Sequence, residues 1–313
     1  MNHPVLSMVD VSKWFRSHWT FRAFRAVDRL SLSIDPGEVY GLIGHNGAGK
    51  TTSFKLIVGL LRPSEGRLLW NGQSHDWNRR RDAIGFSPEQ PYFYDYLTVR
   101  ETLHFYGQLY GMNRAERSQR VDQLIEDFRI GHKADAPMRT LSKGTLQRVA
   151  VAQAIMHRPQ LAILDEPMSG LDPAGRKDMR DRILALKNQG TAVLFSSHIL
   201  SDAEALCDRV AILAGGQLRE VVDLNRDSVE PDAYTLVASA VPASALERLR
   251  SMAAAPLVGG PQRWTLTLKD QRAVRAALAE LERSHSCIEA VLPQRPSLEQ
   301  RFMRHIDTSA HAD

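Results

Sequence analysis

The segment Gly44-His45-Asn46-Gly47-Ala48-Gly49-Lys50-Thr51-Thr52 has the residue types needed to hold a polyphosphate. Its glycines let the backbone turn amide hydrogens inward around phosphate oxygens at the start of a helix. In such a loop Lys50 supplies a point charge to the β- and γ-phosphates, Thr51 a hydroxyl to magnesium and Thr52 a hydroxyl to the α-phosphate, with His45, Asn46 and Ala48 completing the wall. A phosphate loop by itself says only that some nucleoside triphosphate is bound. How it is cleaved must come from the segments that follow in order: Leu141-Ser142-Lys143-Gly144-Thr145, Leu161-Ala162-Ile163-Leu164-Asp165-Glu166, Ser169-Gly170-Leu171-Asp172 and His198.

The two acids suit different tasks. Asp165 is placed to hold magnesium through water, and Glu166 to orient or deprotonate an attacking water as general base. His198 follows another apolar run, Thr191 to Phe195. If that run neighbours the one ending at Asp165, a neutral imidazole there can donate to the γ-phosphate and hold the water in line.

These groups need elements to position them. Val39 to Ile43 leads into the phosphate loop as a strand, and Phe54 to Leu61 leaves it as an apolar helix. Leu161 to Leu164 is a short apolar strand whose burial in a parallel sheet puts its acidic end at the phosphates. Together with Ser31 to Ile34 and Val193 to Ser196, these runs alternate with helical stretches, which argues for an α/β core. Residues from about 90 to 155 read as a helical insert, opened by a capping box from Thr98 to Glu101. After Asn225 prolines 231, 242, 256 and 261 punctuate shorter units. Tyr234 to Val237, Trp264 to Leu268 and Ile288 to Val291 read as strands and Gln271 to Arg283 as a helix. The expected domains are therefore 1–225 and a small α+β appendage over 230–313.

Composition narrows the class. A chain of 313 residues with 43% hydrophobic and 24% charged residues is an ordinary globular one. Its net charge of +4 is too small for its length to argue for a nucleic-acid partner, and none is expected. No apolar run approaches the roughly 20 residues that span a bilayer. The start, Met1-Asn2-His3-Pro4-Val5, lacks the basic and apolar segments of a secretory signal, so a cytoplasmic protein is expected. Cys207 and Cys287 lack metal-ligand spacing and read as buried apolar side chains.

The ordered set, over residues from about 5 to 222, resembles the nucleotide-binding domain of ATP-binding cassette (ABC) transporters. The resemblance implies a P-loop NTPase core with an antiparallel β-subdomain and a helical subdomain, here followed by the small C-terminal α+β domain. It implies an ATPase whose two copies, alike or different, dimerise head to tail. Each ATP then lies between one phosphate loop and the other chain's Ser142 and Gly144. Lys143 and Thr145 depart from the family's Gly and Gln, and Lys143 adds a positive charge near the triphosphate.

Gly85-Phe86-Ser87-Pro88-Glu89-Gln90 is similar to the family's loop whose glutamine watches the γ-phosphate. Either Glu89 or Gln90 fills that position, and Glu89 can also hold magnesium through water. The aromatic run after it, Pro91 to Tyr96, lines a groove for the permease or packs as a loop. Val11-Ser12-Lys13-Trp14-Phe15 resembles the segment that lays an aromatic ring on adenine, with Phe15 as the ring and Trp14 as fallback. The basic stretch from Arg16 to Arg25, with Trp19, Phe21 and Phe24, either packs locally or touches lipid or permease. Ser169 to Asp172 matches the loop that couples the two sites. Pro296-Ser297-Leu298-Glu299 leading into Phe302 resembles tails of export-type ATPases. The resemblance thus implies a peripheral subunit on the inner face of the cell membrane, driving transport through a separately encoded transmembrane permease.

Rival phosphate-loop classes fit less well. A kinase or GTPase leaves Ser142 to Thr145 and His198 without a task, and the guanine-reading Asn-Lys-x-Asp pattern is absent from the sequence. Ribosomal members of the family resemble two fused cassettes, and DNA-repair members carry long coiled-coil inserts.

Overall fold

The structure, a computed structural model, describes residues 3–16, 23–74, 81–225, 231, 233–260, 263–294 and 297–307. By contacts it divides into one unit of Met1–Asn225 with Phe302–Asp313 and a second of Arg226–Arg301.

The first unit opens with two long strands, β1 (Leu6–Arg16) and β2 (Ala23–Ile34). The chain enters the core as β3 (Val39–Gly44), turns through the phosphate loop into helix α1 (Lys50–Ile57) and returns as β4 (Glu65–Trp70) and β5 (Gln73–Ser74). Strands β2-β1-β4-β5 form an antiparallel sheet. Its inward residues, among them Leu6, Met8, Leu30, Ile34 and Trp70, share one apolar core with Phe54 and Ile57 of α1.

The helical insert follows β6 (Ile84–Ser87) and holds α2 (Val99–Leu109), α3 (Arg114–Asp127) and α4 (Lys143–Ala154). The Thr98 capping box forms in full: Thr98 accepts from the Glu101 amide while the Glu101 carboxylate accepts from that of Thr98. At the far end of α4 the buried Arg120 guanidinium donates to the carbonyls of Ile155 and Met156 at 2.7 and 3.1 Å. Burial pushes its pKa down to about 10.

The chain then lays down β7 (Leu161–Leu164), α5 (Pro173–Asn188), β8 (Ala192–Ser197), α6 (Leu200–Leu206), β9 (Arg209–Ala214) and β10 (Gln217–Asp223). The second sheet runs β10-β9-β3-β8-β7-β6, parallel except at its β10 edge. Strands β3, β8 and β7 are buried along their whole length, as two-sided parallel strands must be. Because they are neighbours, their carboxyl ends bring the phosphate loop, His198 and Asp165-Glu166 to one edge.

The second unit is a β-α-β-β-α-β arrangement: β11 (Ala233–Ser239), α7 (Ala243–Met252), β12 (Val258–Gly260), β13 (Arg263–Leu268), α8 (Gln271–Arg283) and β14 (Cys287–Gln294). The sheet is antiparallel in the order β12-β13-β11-β14, closed by a core of Leu236, Leu249, Leu266, Leu268 and Leu281. A last helix, α9, spans Leu298–Asp307.

Several expectations need correction. The helix after the phosphate loop begins at Lys50, not Phe54, because its first turn is polar, and it ends before Gly59, whose φ of +78° breaks it. Pro242 does not merely punctuate: it is the N-cap of α7. Cys287 is exposed on β14, and only Cys207 is buried.

Candidate nucleotide site

A cleft of about 600 Å³ lies along the phosphate loop, walled by residues 45–52 with Phe24, Arg25, Ala26, Glu89, Asp165, Glu166 and His198. The loop's shape is fixed by close backbone packing. Gly49 has φ +103°, and a Cβ there would stand 2.5 Å from the Ala26 carbonyl oxygen. Gly49 is also the N-cap of α1 and provides no side-chain cap, so the amides of the first turn face the cleft as anion donors.

Lys50 is 8% exposed and donates from Nζ to the carbonyls of Gly44 at 2.6 Å and His45 at 3.3 Å. Burial lowers its pKa, an effect opposed by the charges of Glu166, Asp165 and Glu89. Three carboxylates thus share the cleft with this lysine. A triphosphate would add more negative charge, which a divalent cation offsets.

The oxygens present fit magnesium. Thr51 Oγ1 donates to Asp165 Oδ2 at 3.2 Å, and Ser196 Oγ to Asp165 Oδ1 at 2.6 Å. Burial raises the Asp165 pKa, while those two hydrogen bonds oppose the rise. Among the described residues no three His, Cys, Asp or Glu side chains form a metal cage. That suits an ion held by one or two protein oxygens and completed by phosphate and water.

Glu166 has φ +51°, in the left-handed region that non-glycine residues seldom adopt. Its amide donates to Ser196 Oγ at 2.9 Å, and its carbonyl accepts from Gln147 Nε2 at 3.2 Å. The carboxylate Oε2 lies 2.8 Å from His198 Nδ1. An ionised carboxylate only accepts, so this contact is a hydrogen bond donated by Nδ1. In this tautomer the neutral ring's one N–H is the one that meets Glu166.

Phe15 and Trp14 do not line the cleft. Phe24 does, 56% exposed, with Phe15 stacked against it at a centroid distance of 5.7 Å. Trp19 and Phe21 lie outside the described residues, as does Pro296. Of the two residues expected at the γ-phosphate from the loop after β6, Glu89 lines the cleft and Gln90 does not.

Ser142 and Gly144 belong elsewhere. With Lys143, Thr145, Arg148, Gly170 and Asp172 they line a second cleft of about 540 Å³, which among the described residues has no wall residue in common with the first. Ser142 caps α4 and accepts from the Thr145 amide at 3.3 Å. Asp172 likewise caps α5, accepting from Gly175 at 2.8 Å. Thr145 takes part in the cap: its hydroxyl lies 3.0 Å from that of Ser142.

Sequence reasoning gave Phe24 a place in a stretch that packs locally or touches lipid or permease, and it missed Ser196 and Gln147. For Ser196 there was a usable signal, a hydroxyl inside an otherwise apolar buried strand. For Gln147, buried in α4, the residues gave none.

Known proteins resemble this arrangement. The sequence profile described as ABC transporter matches residues 27–169. An uncharacterized ABC transporter ATP-binding protein of Synechocystis, sll0415, is 42% identical over 217 residues, 68% of this chain and 61% of its own. The chain therefore spans about three fifths of that relative's length. YxlF of Bacillus subtilis, also an uncharacterized ABC transporter ATP-binding protein, is 31% identical over 303 residues, 96% of this chain and 99% of its own. A solved structure of the ATP binding subunit of an ABC transporter superposes with a TM-score of 0.63 at 33% identity, covering 71% of this chain and 90% of the other.

Proposed function

This chain belongs to the ABC transporter family of ATP-binding proteins, and from that premise we propose that it hydrolyses Mg-ATP to drive transport through a separate membrane permease. The observation that carries the reading is the Glu166–His198 pair, 2.8 Å apart in the cleft that the phosphate loop walls. Glu166 takes a proton from water as its oxygen attacks the γ-phosphorus, and the bond to the β–γ bridging oxygen breaks to leave ADP and phosphate. His198 holds the Glu166 carboxylate in place through Nδ1–H. Lys50 and the loop amides bind the phosphates, and Phe24, backed by Phe15, carries the base. Thr51 and Asp165 would hold magnesium, with Glu89 at the same wall. When bound, magnesium would offset the negative charge of the phosphates.

Two separate clefts support a head-to-tail dimer. Ser142 and Gly144 share no wall with the phosphate loop, so one ATP meets both sets only when a second chain presents its own α4. ATP binding then favours the closed dimer, and hydrolysis releases it.

The partner reading rests on surface chemistry. No helix among the described residues is long and apolar enough to cross a membrane. Beside Glu89 an aromatic patch faces solvent, with Tyr92 85% and Tyr96 71% exposed. Aromatic enrichment of this kind suits a protein interface, here a permease at the inner face of the membrane. The 230–313 domain serves as an accessory to assembly, and its resemblance to export-type tails favours export.

The test is affinity purification of tagged Glu166→Gln protein from detergent-solubilised membranes of its host, with ATP and magnesium. A polytopic membrane protein recovered in about equal amount is expected. Recovery of ribosomes or nucleic-acid enzymes without any membrane partner would overturn the transport reading and leave the ATPase reading standing.

A further inference from the structure

The first turns of α4 grip the segment that carries Glu166 at several points. Gln147, 1% exposed, donates from Nε2 to the Glu166 carbonyl at 3.2 Å. One turn earlier on the same helix face, Lys143 donates from Nζ to Ser169 Oγ at 3.2 Å. Its methylenes lie over Gly170, where a Cβ would stand 2.8 Å from Lys143 Cδ. Gly144 sits against Leu171: a Cβ on Gly144 would stand 3.1 Å from Leu171 Cδ2.

A non-glycine residue at φ +51° persists only where its surroundings hold it. The Glu166 backbone is held from both sides, by Ser196 at its amide and by Gln147 at its carbonyl. The same helix that holds it starts with Ser142 and Gly144, which face the other cleft.

We infer that Gln147 and Lys143 are positioning residues that lock the Glu166–Asp172 segment to α4, so that engagement of Ser142 and Gly144 in one nucleotide site sets the geometry of Glu166 in the other. This rests on the hydrolysis reading above. The Lys143 ammonium, whose charge was expected near the triphosphate, meets the Ser169 hydroxyl while Lys143 lines the cleft of Ser142 and Gly144. Lys143 is exposed, and solvent-facing polar pairs contribute little to stability, so its effect is read in turnover and not in folding.

The test is steady-state ATP hydrolysis by the full-length chain carrying Lys143→Met, Ser169→Ala, both together, Lys143→Arg or Gln147→Leu, with Glu166→Gln in parallel. Lys143→Met and Ser169→Ala should each lower kcat roughly three- to tenfold, with KM for ATP changed by less than about twofold. The double variant should be no slower than the worse single, because both remove one contact. Lys143→Arg should restore at least about half of kcat. Gln147→Leu keeps volume and loses the donor, and should lower kcat by roughly ten- to a hundredfold.

A raised KM at unchanged kcat, or additive losses in the double variant, would make Lys143 a phosphate ligand and overturn the inference. If Gln147→Leu fails to fold, the Lys143–Ser169 cycle still decides. Wild-type turnover in Glu166→Gln would sink the hydrolysis reading itself, whichever way the cycle falls.

Discussion

Replacing Phe24 by alanine should cost more ATP affinity than replacing Phe15. Phe24 walls the cleft with 56% of its surface open, whereas Phe15 reaches it only through the stacked contact at 5.7 Å. Base-on-aromatic stacking contributes about 1–3 kcal/mol, so Phe24→Ala should raise the Kd for Mg-ATP by roughly 5- to 150-fold. An aromatic pair contributes about 0.5–1.5 kcal/mol, and only part of that reaches the nucleotide, so Phe15→Ala should cost less than about tenfold. Stacking acts alike on ground and transition states, so kcat at saturating ATP should stay near wild type in both variants. Calorimetric titration with Mg-ATP on a Glu166→Gln background measures the affinities without turnover. A larger loss for Phe15→Ala than for Phe24→Ala would refute this assignment of the stacking ring.

Other outcomes follow from the same geometry. Ser196→Ala removes the 2.6 Å bond to Asp165 and the acceptor for the Glu166 amide in a fully buried site. Urea unfolding should show a loss of about 1–3 kcal/mol, with turnover reduced as well. Gly49→Ala forces a Cβ toward the Ala26 carbonyl at φ +103°, and should abolish nucleotide binding while the β11–β14 core of the second unit stays protected in hydrogen exchange. Asp208 is held below the usual carboxylate range: burial pushes it up, but hydrogen bonds from Lys187, the Val39 amide and Asn225 outweigh that. A depressed carboxylate stabilises the fold above its unfolded pKa, and that contribution is lost as pH falls through the folded one. Lys187→Met should therefore lower the urea midpoint at pH 7, and the gap to wild type should narrow as pH is taken below about 4.

Much of the core was legible because its chemistry sits at the ends of short apolar strands. Leu161–Leu164 and Ala192–Ser197 show their burial in their composition, and parallel neighbours bring their carboxyl ends together. The polar first turn of α1 was not legible, because apolar periodicity begins only at Phe54 while the amides that cap anions belong to Lys50 and its neighbours. The ring facing the cleft was not legible either. Phe15 and Phe24 pair across an antiparallel register, and which of two stacked rings turns to the cleft is a tertiary outcome. Nor was it legible which ring nitrogen of His198 meets Glu166, since a lone imidazole has two of equal standing. In the second unit α7 was hidden because Pro242 reads as a breaker, although it precedes the helix, where a missing N–H costs nothing.

ATP turnover by Glu166→Gln, measured beside its Mg-ATP affinity, tests the proposed chemistry most directly. Glutamine keeps the shape and cannot take the water's proton. A fall in kcat of roughly 10²–10⁴-fold is expected, with Kd for Mg-ATP changed by less than about threefold. Turnover within a few-fold of wild type would contradict it, and the base would then have to be sought elsewhere in the cleft.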